Sequence, residues 1–73
     1  MKIILSNHAK CRLLDRGFEI PQIKYVLKNY IKIKNQSCGN IKIKGILDDG
    51  RILVVIYNDL KNKIMVITCY YEN

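Results

Sequence analysis

The stretch Ser6-Asn7-His8-Ala9-Lys10-Cys11-Arg12-Leu13-Leu14-Asp15-Arg16-Gly17 holds the side chains best suited to chemistry. His8, Arg12 and Arg16 recur every four residues. Each such step on a helix turns by about 40°, so the three side chains form one stripe. An imidazole beside two guanidiniums suits an anion, above all phosphate. Arginines clamp phosphate bidentately and stabilise charge that builds up on it. His8 is the one side chain here with an unperturbed pKa near neutrality, which fits a general acid or base. Its place at a helix start disfavours the protonated form, so it reads as a neutral hydrogen-bonding group or a base. A purely structural alternative stands beside this. His8 then bonds locally, Arg12 pairs with Asp15 or Glu19, and Arg16 lays its stem on a sheet. Asp15 lies beside His8 on the helical wheel and suits either role. Several such groups on one stripe are what a phosphate-handling centre requires.

The second constellation is a set of lysines. Ile31-Lys32-Ile33-Lys34 and Ile41-Lys42-Ile43-Lys44 both alternate with a period of two. With the isoleucines turned inward, the pairing is Lys32 with Lys44 and Lys34 with Lys42. Like charges directly opposite destabilise a hairpin. A phosphate backbone across that face removes the penalty and confers salt-dependent affinity. The alternative is a solvated face whose lysines splay apart under salt screening. Arg51, just after Asp48-Asp49-Gly50, joins Lys32, Lys34, Lys42 and Lys44 in the candidate nucleic-acid-binding set. The whole chain carries 13 Lys+Arg against 6 Asp+Glu, a formal charge of +7. That balance suits a polyanion, although lysine-rich codon usage or a heat-adapted surface also produces it.

These groups need elements to hold them. Ser6 is an N-cap and Gly17 a helix-stopping residue, giving a first helix to about Arg16. Its apolar residues Ala9, Cys11, Leu13 and Leu14 spread over a wide arc, which implies packing on more than one neighbour. Pro21 suits the first turn of a second helix. There Ile23, Val26, Leu27 and Tyr30 form a buried stripe, with Tyr30 closing the helix against the core. Strands follow over 31–34, 41–44, 51–57 and 63–71. The links are Asn35-Gln36-Ser37-Cys38-Gly39-Asn40, the tight Asp48-Asp49-Gly50 and the looser Asn58–Asn62. The expected fold is α+β: two N-terminal helices on a four-stranded antiparallel meander, α-α-β-β-β-β. Its first strand is the edge, and the last two are central or covered on both faces.

At 73 residues the chain is one domain spanning 1–73, with a modest core that a partner or a second copy would help complete. Met1–Leu5 is too short for a secretory leader, and no apolar run approaches the roughly 20 residues of a membrane span. Cys11, Cys38 and Cys69 are scattered, as reduced thiols of a cytoplasmic protein would be. His8 and Cys11 lack a second ligand pair, so no metal site is expected. No phosphate-binding loop, dinucleotide fingerprint or nucleophile elbow occurs, and no cofactor is expected.

The opening Ser6-x-His8-Ala9-x-x-Arg12-x-x-x-Arg16-Gly17, with Asp49-Gly50-Arg51 and Ile67-Thr68-Cys69-Tyr70, resembles a family of small prokaryotic domains of unknown function. The resemblance spans nearly the whole chain. Pro21-Gln22-Ile23-Lys24 departs from it, because that helix tends to be acidic in the family. The family is distantly similar to the RelE/ParE/BrnT group of toxins. That similarity implies a RelE-like fold and a toxin of a toxin–antitoxin pair, a metal-independent endoribonuclease acting on RNA, with an acidic antitoxin as partner. Carried over position by position, it implies His8, Arg12, Arg16 and Tyr70 as catalytic residues. His8 or Tyr70 would then help remove a 2′-hydroxyl proton while the arginines stabilise the phosphorane. Two other classes stay open: a non-catalytic nucleic-acid-binding module, and a small interaction protein completed by a partner or by self-association.

Overall fold

A computed structural model describes residues 2–36 and 39–72. Its elements in order are β1 (Lys2–Leu5), α1 (Asn7–Arg16), α2 (Ile20–Lys28), β2 (Lys32–Asn35), β3 (Asn40–Ile46), β4 (Ile52–Leu60) and β5 (Lys63–Glu72). The strands form one sheet in the order β1-β5-β4-β3-β2. The four C-terminal strands are the expected antiparallel meander.

The expected four-stranded, all-antiparallel sheet is nevertheless wrong. β1 adds a fifth strand, parallel to β5, with Leu5 opposite Val66. The α+β class stands, but the sheet is mixed. Ile3-Ile4-Leu5 carries no period of its own, and its partner lies at the far end of the chain, so no local pattern marks it as a strand. The Ser6 amide continues the pairing with a 2.9 Å bond to the Val66 carbonyl.

Ser6 then starts α1. Its Oγ accepts from the Ala9 amide at 3.1 Å and donates to the Ile67 carbonyl at 2.7 Å. The second bond meets an irregularity in β5. Ile56 pairs with Thr68 but Tyr57 with Val66, so Ile67 is an extra, bulged residue. One hydroxyl therefore caps the helix and satisfies the bulge. Gly17 ends α1 at φ 71°, a left-handed conformation that suits glycine. Glu19 caps α2, with its amide donating to Gln22 Oε1 at 2.9 Å, and Pro21 sits in the first turn. α2 stops at Lys28. Tyr30 lies beyond it and is 44% exposed, so it does not close the helix against the core as expected. The chain has already turned into the sheet, where the Ile31 amide donates to the Lys44 carbonyl at 2.7 Å. The link after β4 is also shorter than expected. Asn58–Leu60 extend the strand, and Lys61-Asn62 make the turn.

Both helices cover one face. α1 lies on β5 and β1, and α2 on β3 and β4. Between helices and sheet, Ala9, Phe18, Ile23, Val26, Ile43, Leu53, Val55, Val66 and Cys69 are buried together. Strand alternation sends the residues between these to the other, uncovered face. There Val54 is fully buried without belonging to the helix-side core. β2 reaches past α2, which leaves Ile33 53% exposed although it faces the helix side with Ile43.

Candidate nucleic-acid interface

The α1 stripe exists, and part of it is in contact. His8 is exposed, Arg12 half-buried and Arg16 exposed. Arg12 Nε donates to His8 Nε2 at 3.4 Å, a long bond that requires an unprotonated Nε2. Arg16 lies one turn further along the same side. The ion pairs among the described residues are Lys44–Glu72 and Arg51–Asp49, so the pairing of Arg12 with Asp15 or Glu19 does not form. Arg12 reaches towards β5. The Cys69 thiol is pushed up by burial, and the Arg12 charge partly opposes that shift.

Tyr70 is not beside this stripe. Cys69 and Tyr71 both pack in the helix-side core, so Tyr70 between them faces the open side of the sheet. The sheet separates its hydroxyl from His8, Arg12 and Arg16. The four residues expected to form one catalytic centre thus occupy two sites.

On the open side Tyr70 lies in line with lysines. The register is Lys32↔Lys44 and Lys34↔Lys42, as the isoleucine alternation predicts. Continued across the sheet, it makes two rows: Lys32–Lys44–Val54–Tyr70 and Lys34–Lys42–Ile56–Thr68. Neighbouring strands lie about 4.8 Å apart, so Tyr70 sits about 10 Å from the Lys44 backbone. Lys32 and Lys34 are exposed, Lys42 and Lys44 half-buried, and all four line a shallow groove with Ile33. Glu72 enters this cluster from β5. Its Oε2 lies 2.6 Å from Lys44 Nζ. Its carboxyl is held below the ordinary range by its bond to Lys44, with the charges of Lys44, Lys42 and Lys32 adding to the effect.

Arg51 stands apart from the lysines. Its Nε donates to Asp49 Oδ2 at 2.6 Å and its guanidinium stacks 4.2 Å over the Tyr71 ring. Tyr71 in turn meets Phe18 at 4.6 Å between centroids. The Arg51 amide also donates to Asp49 Oδ1 at 3.0 Å, and these bonds hold the Asp49 carboxyl below its usual range. Arg51 therefore closes the Asp48-Asp49-Gly50 turn over the helix-side core. Cys38 lies outside the described residues.

Sequence reasoning missed Glu72 and the apolar rows Ile52, Val54 and Ile56. The alternation of 63–71 held part of the signal, since it separates Tyr70 from Cys69 and Tyr71. Among the described residues no helix is long and apolar enough to cross a membrane.

No curated protein and no solved structure matches the chain. A family model described as a domain of unknown function, DUF4258, matches residues 5–71. The matched segment takes in the α1 stripe, the lysine hairpin and Tyr70, and the chain belongs to that family of domains of unknown function.

Proposed function

We propose that this protein is a cytoplasmic domain of the toxin type that binds RNA on the open face of its sheet. The observation that carries the reading is the pairing of Lys32 with Lys44 and of Lys34 with Lys42 at one edge of that face. Directly opposed like charges cost stability. A phosphate backbone laid over them relieves that cost, with release of counterions. Tyr70 and Ile56, both part-exposed, continue the same rows as an apolar surface against which unstacked bases can pack. The charge of this face also complements an acidic antitoxin.

A second reading, RNA cleavage, is favoured by the contact between Arg12 and His8. The unprotonated His8 Nε2, once a substrate phosphate draws Arg12 off it, suits removal of a 2′-hydroxyl proton. The 2′-oxygen then attacks phosphorus in line, the 5′-oxygen leaves, and Arg12 and Arg16 balance the charge on the phosphorane. With Tyr70 across the sheet, proton removal falls to His8.

One experiment separates the two readings: total RNA incubated with the protein, with and without chelator. Binding by lysine contacts predicts affinity that falls with salt and with Lys32, Lys34, Lys42 and Lys44 substitutions. Cleavage predicts product in chelator, lowered by about 100-fold or more in His8→Ala, Arg12→Ala. Equal product from this double variant and wild type removes the cleavage reading and leaves binding.

A further inference from the structure

Lys44 and Glu72 are not on adjacent strands. Glu72 lies opposite Ile52 on β4, and Lys44 lies opposite Val54 of that strand. The ion pair therefore bridges β4, passing over two apolar residues that offer it no polar partner. Two long side chains lean together across a strand, when each has solvent available. Four lysines stand at one edge of the face, and Glu72 is the carboxylate that reaches one of them, Lys44.

We infer that Glu72 holds the anion position of this face: its carboxylate lies where a phosphate of a bound strand sits, and a strand binds by displacing it from Lys44. The inference rests on the RNA reading for its ligand and on the Lys44–Glu72 geometry for its site. A carboxylate and a phosphodiester both carry one negative charge and both accept from an ammonium. The two therefore compete for Lys44 on nearly equal terms. Exchange at this one point gains little, and it leaves Glu72 beside the incoming anion. Lys32, Lys34 and Lys42 supply the gain, because they engage further phosphates of the same strand. The face thus rejects a lone monoanion and accepts a polyanion. Lys44 and Glu72 both keep solvent access, with side chains 26% and 37% exposed, so the pair is weak enough to exchange.

The test uses Glu72→Gln, Lys44→Met and the double variant, with a short end-labelled single-stranded RNA over a salt series. Glu72→Gln keeps the side-chain shape and removes the charge. It is expected to raise affinity about two- to fivefold at low salt, the range of one exposed ion pair. It is also expected to steepen the slope of log K against log salt by up to about 0.7, because the displaced carboxylate no longer offsets the charge that Lys44 brings to its phosphate. In the Lys44→Met background the gain disappears. A second arm follows the Glu72 carboxyl by NMR while inorganic tripolyphosphate is added. The carboxyl is expected to titrate closer to its ordinary value once Lys44 has been drawn away. Unchanged affinity and slope in Glu72→Gln, with the lysine variants still weakening binding, overturns the inference and leaves the RNA reading intact. RNA binding indifferent to every lysine overturns the RNA reading. In that event the tripolyphosphate arm decides the anion site alone, and a Glu72 signal that does not move sinks it.

Discussion

Ser6 shows how much one side chain can hold in a chain of this size. Its Oγ accepts from the first turn of α1 and donates to the bulged Ile67 carbonyl. Ser6→Ala leaves both partners unsatisfied. We expect a loss of about 1–2 kcal/mol, the range for a helix cap, with the part-buried Ile67 carbonyl adding to it. Urea denaturation measures it, and a loss below about 0.5 kcal/mol would mean that water replaces the hydroxyl at no cost. At the same scale, His8 and Arg12 meet because a four-residue step on α1 brings them to one side. The Arg51 guanidinium instead turns its charge to Asp49 and its flat face to Tyr71. Residues of one chemical type thus serve different ends according to what lies beneath them.

Among the elements, α2 packs closely on β3 at Gly45. A Cβ there would lie 3.0 Å and 3.1 Å from the two Val26 methyl carbons. Val26 is fully buried, and the atoms met are its branched Cβ and methyls rather than the end of a flexible chain. Gly45→Ala is expected to cost about 1–3 kcal/mol by overpacking, read as a lower denaturation midpoint. Pairing it with Val26→Ala, which makes the missing space, should recover part of that loss in a double-mutant cycle. The β2–β3 hairpin makes the complementary case, where an element tolerates strain for its surface. Replacing Lys32 and Lys34 with Gln should flatten the salt slope of RNA binding by about 0.7 for each phosphate no longer engaged. It should also stabilise the fold slightly, because Lys44 and Lys42 then face neutral partners. A slope unchanged by both substitutions would place the RNA elsewhere.

For the whole molecule, one sheet divides two basic sites: the α1 stripe on the helix side and the lysine rows on the open side. With extents of 32 × 25 × 22 Å, the body is too thick for one phosphate to touch both. Among the described residues, four groups carry its response to pH. Asp49 and Glu72 titrate below their ordinary values of 3.8 and 4.5, so the stability they contribute is present above those values and lost as pH falls through their native ones. Cys69 and Tyr57 titrate above 9.0 and 10.0, chiefly through burial, so their contribution is present below those values and lost as pH rises. Thermal melts should therefore show a plateau from about pH 5 to about pH 8.5, with Tm falling on either side. A Tm that climbed below pH 4 would contradict the acid half of this account.

Much of this fold was legible from local signals alone. Ser6, Gly17 and Pro21 mark helix ends through bonds made within a few residues. The isoleucine alternation sets the Lys32↔Lys44 register, because a slip of one residue would turn every isoleucine outward. Long-range pairing left no such mark. β1 finds its partner at the opposite end of the chain, and three apolar residues do not say which strand they will join. Tyr70 lies across the sheet from His8 because Cys69 and Tyr71 fill the helix-side core on either side of it. Glu72 meets Lys44 only once β4 lies between their strands. Residue types and spacing determined the chemistry available to this protein; the order of strands and the faces of the sheet decided which of those groups meet.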